Sequence, residues 1–232
     1  MSGSATRDTK LVVAEEALAK LKRRQERNQR AAFAKGLMQG ICSILKPGDI
    51  VLDCGANVGE VSGLLAQTGA EVHAFEPDPF AFGKLKKAMK GQENVILHNA
   101  AVGVENGSIR LMRAENFDDN PRGASVKSTV ISGGRKIDEQ ENGIDVTQVS
   151  LLGRIDELVE QHGEIAFLKM DIEGAELDIL EAMLKRNLFD KIRLTVAETH
   201  ESKFKKLRPR FAALREAVTE KYPITKVNLD WI

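Results

Sequence analysis

From residue 50 onward the chain alternates short apolar runs with longer amphipathic stretches, and turn residues mark almost every change. IVLDC (50–54) suits a strand buried on both faces. Val58 to Gln67 reads as a helix that ends at Gly69. EVHAFE (71–76) reads as a second strand, and Pro79 to Lys90 as a helix carrying Leu85 and Met89 at i, i+4. NVILHNAAVG (94–103) reads as a third strand, and ENGSIRLMR (105–113) as its hairpin return, because Asn106-Gly107 is a strong turn signal. Further on, the pattern predicts a strand at Val146 to Val149, a helix at Leu151 to Gln161 and a buried strand in IAFLKMD (165–171). A helix from Gly174 to Lys185, a strand in IRLTVAETH (192–200) and a helix from Phe204 to Lys221 follow. ITKVNLDWI (224–232) closes as an edge or antiparallel strand. Strands and helices in alternation specify an α/β fold: a doubly wound, mostly parallel sheet with helices on both faces.

Residues 14 to 45 read as helix until the turn residues Pro47 and Gly48, which sets an N-terminal helical extension (1–44) apart from a main domain (45–232). The main domain contains one polar, glycine-rich, aperiodic stretch at 114–145, too long for an idle connection in a compact fold. Charge is balanced over the chain, with 34 basic and 34 acidic side chains, but ten Lys/Arg against four Asp/Glu in residues 1–48 leave that segment at +6. A basic arm beside an acidic body raises nucleic acid or a membrane surface as partner. The interruption of Leu18, Leu21, Phe33, Leu37 and Met38 by KRRQERNQR favours a solvated helical face instead; a helix outside the core can also pack on a second subunit or cover a ligand pocket. No apolar run is long enough to span a bilayer, the first residues lack a secretory h-region, and Cys42 and Cys54 read as thiols; a cytoplasmic protein is expected.

The loop after the first strand, Asp53 to Gly59, should face a ligand, since doubly wound sheets bind beyond the carboxyl ends of their strands. A dinucleotide loop needs G-x-G-x-x-G so that the backbone can approach a pyrophosphate. Here Gly55 and Gly59 are spaced G-x-x-x-G, Asn57 holds the place of the middle glycine, and Asp53 adds a negative charge. That charge disfavours a pyrophosphate and welcomes a cation. S-adenosylmethionine (SAM), with a sulfonium, an ammonium and no phosphate, fits. Glu76 ends the second strand, where a carboxylate can accept both ribose hydroxyls. Each feature also has a plainer use: the glycines permit a tight turn, Asp53 caps a helix, and Glu76 is a solvated strand end.

Asp53-x-Gly55-x-Asn57-x-Gly59, AFEP (74–77), NAAVG (99–103) and KMDIEGAE (169–176), in that order, resemble the FkbM family of SAM-dependent methyltransferases over roughly residues 45 to 200. The resemblance implies a seven-stranded class I methyltransferase sheet with SAM over the first two strands. It implies that Asp53, Gly55, Ala56, Asn57 and Gly59 cradle the methionine part and that Glu76 holds the ribose. Pro77 and Asp78 would border the adenine, with Asn99 and Ala100 on its other side. It also implies an acceptor hydroxyl on a sugar or a secondary metabolite.

Methyl transfer needs the acceptor atom held opposite the sulfur in a dry pocket, and a hydroxyl acceptor needs a base. Lys169 and Asp171 share one strand and Glu173 follows; Glu198 and His200 share one face of another. These five converge only if the two strands are neighbours. His200 is the first choice of base because its ordinary pKa lies nearest neutrality. Asp171, which also borders the cofactor, or Glu173 can orient it, or act as base if raised by burial. Lys169 can offset these carboxylates or bind an acceptor oxygen. The alternatives are helix capping for Asp171 and Glu173, a counter-charge for Lys169 and a surface role for His200. Within 114–145, flanked by Arg113, the residues Arg122, Ser125, Lys127 and Ser128 would contact a polyhydroxylated or anionic acceptor. The carboxylate and histidine cluster also raises divalent metal binding, which would suit catechol-like oxygens. No close-set motif such as H-x-x-x-H is present, however, so a required metal is not expected and no metal ligand is assigned; His73 and His98 read as core or sheet-edge residues and His162 as a helix-end cation.

Three rivals remain. An NAD-dependent oxidoreductase lacks its middle glycine here, and a non-catalytic SAM-binding module would not need the KMDIEGAE set. A nucleic-acid methyltransferase would want more stacking surface than one Trp and one Tyr.

Overall fold

The computed structural model describes residues 3–113, 129, 143–201 and 203–231. The chain divides into two units, the first covering 1–43 and the second 44–231. The first is α1 (Gly3–Ile44), 42 residues rich in the helix formers Ala, Lys, Arg, Gln and Glu, with Leu18, Leu21 and Phe33 exposed on its surface. None of the described helices is long and apolar enough to cross a membrane.

The second unit is built on a six-stranded sheet. Its strands are β1 (Ile50–Cys54), β2 (Glu71–Phe75), β3 (Val95–His98), β7 (Ile165–Met170), β8 (Ile192–Ala197) and β9 (Val227–Asn228), in the order β3-β2-β1-β7-β8-β9. Every pairing within it is parallel. The order runs outward from β1 through β2 to β3, then restarts on the other side with β7. The carboxyl ends of β1 and β7 therefore flank a topological switch point, where such sheets bind ligands. Parallel strands need cover on both faces, and the sequence supplies it: all five residues of β1 and all six of β7 are buried. The helices α2 (Glu60–Ala66), α3 (Pro79–Ala88), α4 (Leu151–His162), α5 (Glu176–Lys185) and α6 (Arg208–Lys221) accompany the sheet. The main core joins Leu52, Met170 and Ile192 of the strands to Ile155, Leu180 and Phe211 of the helices.

The α/β class and the parallel sheet match the sequence reading, and four details correct it. The described sheet has six strands rather than seven. A separate three-stranded sheet holds β4 (Ala101–Gly103), β5 (Gly107–Met112) and β6 (Gly143–Ser150) in the order β4-β6-β5. The expected third strand is thus two strands in two sheets. Its break falls at Asn99, whose Nδ2 donates to the carbonyls of Glu76 and Pro77 at 2.8 and 3.2 Å and so turns the chain out of the first sheet. Nor does 105–113 return as a hairpin, because β6 lies between the two expected arms, parallel to β4 and antiparallel to β5. Asn106 fixes that arrangement, its Oδ1 accepting from the Ser150 backbone N–H at 2.7 Å. The last strand keeps the expected edge position, but it is only two residues long and parallel to β8.

Helix starts have identifiable causes, and that of α3 falls at Pro79 as expected. Asp78 caps α3 by accepting from the N–H groups of Phe80 and Ala81, with Pro79 at the first turn. The helix expected from Gly174 begins at Glu176, because Glu173 and Gly174 both have positive φ, 57° and 109°. Residues 205–207 make a 3-10 turn before α6 begins.

Candidate active site

At the switch point the chain forms a cavity partly open to solvent. Gly55, Asn57, Glu76, Pro77, Ala100, Asp171 and Glu173 line it, together with Val102, Leu111, Thr129 and Ile172.

One wall is the loop after β1. Gly55 has φ 81°, and a Cβ there would stand 1.8 Å from the Asp171 carbonyl oxygen, so only glycine lets the ends of β1 and β7 approach this closely. The loop's own N–H groups point inward: those of Gly55 and Ala56 donate to the Phe75 carbonyl, and that of Gly59 to the Ala56 carbonyl. The Asn57 N–H donates to Glu76 Oε2 at 2.9 Å, while Glu76 Oε1 accepts from the Asp78 N–H at 2.8 Å. Glu76 is buried, and burial pushes its pKa up from 4.5 to about 7, although these two N–H groups pull the other way. The Asn57 side-chain oxygen is buried without a hydrogen bond.

Beneath the loop lies a charged staple. Lys169 donates to the Gly55 carbonyl at 2.7 Å and stands 3.3 Å from Asp53 Oδ1, and Ser62 Oγ donates to Asp53 Oδ2 at 2.6 Å. Both charges are buried. Burial alone would lower the Lys169 pKa, but Asp53 and Asp171 hold it above the ordinary lysine value.

The opposite wall joins the ends of β7 and β8, which are adjacent as convergence of the five polar groups requires. The Asp171 N–H donates to the Cys54 carbonyl and the Glu198 N–H to the Met170 carbonyl, so three strand ends stand side by side. His200 is buried, and its Nδ1–H donates to Glu176 Oε1 at 2.9 Å. Its Nε2 faces Glu198 at 3.5 Å, Glu173 at 3.6 Å and Asp171 at 3.8 Å. Burial presses the imidazole pKa down, yet the bond to Glu176 and the surrounding carboxylates carry it above the ordinary value. Burial raises Glu198 to about 7, with the like charge of Asp171 adding to the shift. Glu173 is raised by burial, against the pull of His200 and Lys203.

The structure therefore brings together Gly55, Asn57, Glu76, Pro77, Ala100, Asp171 and Glu173 at the cavity, with Glu198 and His200 beside the last two. Asp53, Ala56, Gly59, Asp78, Asn99 and Lys169 are not part of the lining. They brace it, Asp78 through its cap on α3 and an ion pair with Arg113 at 2.8 Å. Gly59 has φ 94°, and a Cβ there would meet Leu85 of α3. Arg122, Ser125, Lys127 and Ser128 of the expected acceptor loop lie outside the described residues. Thr129 is described: its Oγ1 donates to the Glu173 carbonyl at 2.6 Å, and it closes one side of the cavity. His73 and His98 lie on β2 and β3, stacked at 5.5 Å on one another, away from this rim. Sequence reasoning gave no role to Glu176, although an acid on the face of α5 shared with Leu177, Ile179 and Leu180 signals a buried partner.

This is a doubly wound α/β protein whose ligand cavity, at the switch point, sets a buried carboxylate opposite an acid–histidine rim. A family model for the methyltransferase FkbM domain matches residues 53–222, and the chain belongs to that family. It is 28% identical over 178 residues to the 31-O-demethyl-FK506 methyltransferase FkbM of Streptomyces tacrolimicus, covering 68% of this chain and 67% of that one. It is 26% identical over 214 residues to the methyltransferase sdnD of Sordaria araneosa, covering 81% of this chain and 78% of that one. A crystal structure of a methyltransferase FkbM from Methylobacillus flagellatus aligns with a TM-score of 0.37 at 19% identity, over 61% of this chain; the alignment spans 30% of that protein's length.

Proposed function

We propose that the chain transfers a methyl group from SAM to a hydroxyl of a small molecule or sugar. The observation that carries the cofactor reading is the state of the loop after β1: the N–H groups of Gly55, Ala56, Asn57 and Gly59 are all engaged within the protein. A pyrophosphate would find few donors there, whereas Glu76 and the orphaned Asn57 oxygen offer acceptors to hydroxyl and ammonium groups. That pattern supports SAM over NAD. SAM, when bound, supplies an electrophilic methyl group.

In this reading Glu76 accepts the ribose hydroxyls, Pro77 and Ala100 border the adenine, and Gly55, Asn57 and Asp171 line the methionine end. Asp53 and Lys169 act from beneath, by fixing the loop. The acceptor hydroxyl meets the rim of Asp171, Glu173, Glu198 and His200. There His200 Nε2 takes its proton, while Glu176 keeps the ring oriented and stabilises it once charged, as in other carboxylate–histidine pairs. Because the imidazole pKa is raised, the neutral base form gains ground as pH rises, and transfer should rise with it. The Streptomyces relative is named as the methyltransferase of a 31-O-demethyl compound, which supports a hydroxyl acceptor here. A cytoplasmic setting fits, since Cys54 is a buried thiol outside any disulfide.

Calorimetry with SAM and NAD tests the cofactor: micromolar SAM binding and no NAD binding are expected. NAD binding without SAM would overturn the proposal, and binding of neither would make the chain a non-catalytic module. Once a hydroxyl acceptor is found, His200→Ala should slow transfer by about 10²–10⁴-fold. SAM affinity should stay unchanged; full activity would remove His200 as the base.

A further inference from the structure

The rim around His200 holds more negative charge than a proton acceptor needs. Four carboxylates, Asp171, Glu173, Glu176 and Glu198, lie within 3.8 Å of the ring nitrogens. Against them stand the ring itself, Lys203 on Glu173, and Lys169, which Asp171 shares with Asp53. When all four are ionised the balance is negative even with the imidazole charged, and burial together with that crowding raises the pKa values of Glu198 and Glu173. All four acids are buried or half-buried, where unbalanced charge is costly.

Geometry specifies what would balance it. Glu176, itself fully buried, fixes the ring through Nδ1 and leaves Nε2 aimed among the other three acids. At 3.5 to 3.8 Å these acids reach Nε2 as charges rather than as close hydrogen-bond partners, around a histidine only 2% exposed. One donor atom each from Asp171, Glu198 and His200 lies within 4.8 Å of the others. Donors bound to a single small cation at about 2.0–2.2 Å stand about 3–4.3 Å apart, so side-chain shifts of under about 1 Å close this set. A histidine whose far nitrogen is held by a buried carboxylate is also how proteins orient metal-binding imidazoles.

We propose that Asp171, Glu198 and His200 bind one divalent transition cation of the Mn²⁺ or Zn²⁺ kind. Mixed carboxylate and imidazole donors suit that group of ions. Glu173 can join the set by leaving Lys203. Cation and proton compete for the same nitrogen, so the loaded chain loses its proton acceptor. This last consequence rests on the role proposed for His200 in methyl transfer; the binding site does not.

The test is a titration of the full-length, chelator-stripped protein with Mn²⁺ in the absence of SAM, following the free aquo ion by electron paramagnetic resonance. One Mn²⁺ per chain at micromolar Kd is expected. Asp171→Asn and Glu198→Gln should each weaken it about tenfold or more, and Glu157→Gln on α4 should not. A wild-type measurement guards against misfolded variants: among the four histidine rings, bound Mn²⁺ should broaden the NMR signals of His200 first. Millimolar or weaker binding in the wild type overturns the proposal. So does equal affinity in the Asp171 and Glu198 variants, or first broadening of His73, His98 or His162. A SAM titration on the same stripped protein separates the two readings. SAM binding without Mn²⁺ binding defeats only the cation site, and Mn²⁺ binding without SAM binding defeats only the cofactor assignment.

Discussion

The two walls of the cavity treat polar groups in opposite ways. On the β1–β2 side nearly every charge and N–H is answered inside the protein: Lys169 by Asp53, Glu76 by the Asn57 and Asp78 N–H groups, Asp78 by Arg113. On the β7–β8 side Glu198, Asp171 and His200 Nε2 face one another beyond hydrogen-bonding distance, and Glu198 is raised to about 7. Satisfied networks hold a shape; crowded acids around an imidazole hold a reactivity. In the proposed function the first wall recognises a ligand of fixed outline, and the second moves a proton or takes a cation.

The largest effect should come from breaking the staple under the first wall. Lys169→Met keeps the volume but leaves Asp53 buried with only Ser62 for company. Removing one partner of a buried ion pair costs about 3–5 kcal/mol, and urea denaturation should show a loss of that size. Asp53→Asn added to Lys169→Met should recover part of it. An unchanged midpoint in Lys169→Met would mean that the staple does not hold the loop, and the contrast between the walls would fail.

The first wall was readable in the sequence and the second only half so. Gly55 and Glu76 could be placed because strand ends and glycine turns are local signals that survive in any α/β sheet. The offset of Asp171 by Lys169 was read, but its closer pairing with Asp53 was not, since residues 116 apart pair only once β1 and β7 are known to be adjacent. Glu198 and His200 were expected on one strand face, but β8 ends at Ala197 and both lie just beyond it. Their gathering with Asp171, however, depended on strand order, and Glu176 sat hidden in the apolar face of α5. The split of 94–103 between two sheets hinged on one side chain, Asn99, reaching two carbonyls, which no periodicity announces.

A smaller effect tests what the first wall recognises. Glu76→Ala removes the acceptor proposed for the ribose hydroxyls and should weaken SAM binding by about 1–3 kcal/mol in calorimetry, as expected for hydrogen bonds to a charged group. Glu198→Ala, across the cavity, should leave SAM affinity within error. Equal losses in both would erase the division of labour between the walls.

The smallest effect is the most specific, because it turns on the charge of Glu76 rather than its presence. Burial holds this carboxyl near 7, so an unliganded chain carries it mostly protonated at pH 6 and mostly charged at pH 8. A protonated carboxyl has turned one acceptor site into a donor and accepts from two ribose hydroxyls less well. If only the charged form binds, SAM affinity should rise about tenfold from pH 6 to pH 8, about 1.4 kcal/mol. The same shift acts on the fold with the opposite sense. The folded state holds this proton more tightly than the unfolded chain, so the contribution of Glu76 to stability falls as pH rises from about 4.5 to about 7. Bound SAM, by favouring the carboxylate, should therefore stabilise the protein more at pH 8 than at pH 6. Glu76→Gln should flatten both profiles, which separates this group from the titration of SAM itself. A tenfold rise that persists in Glu76→Gln would place the titrating group elsewhere, and the second wall, with Glu198 also near 7, would be the place to look.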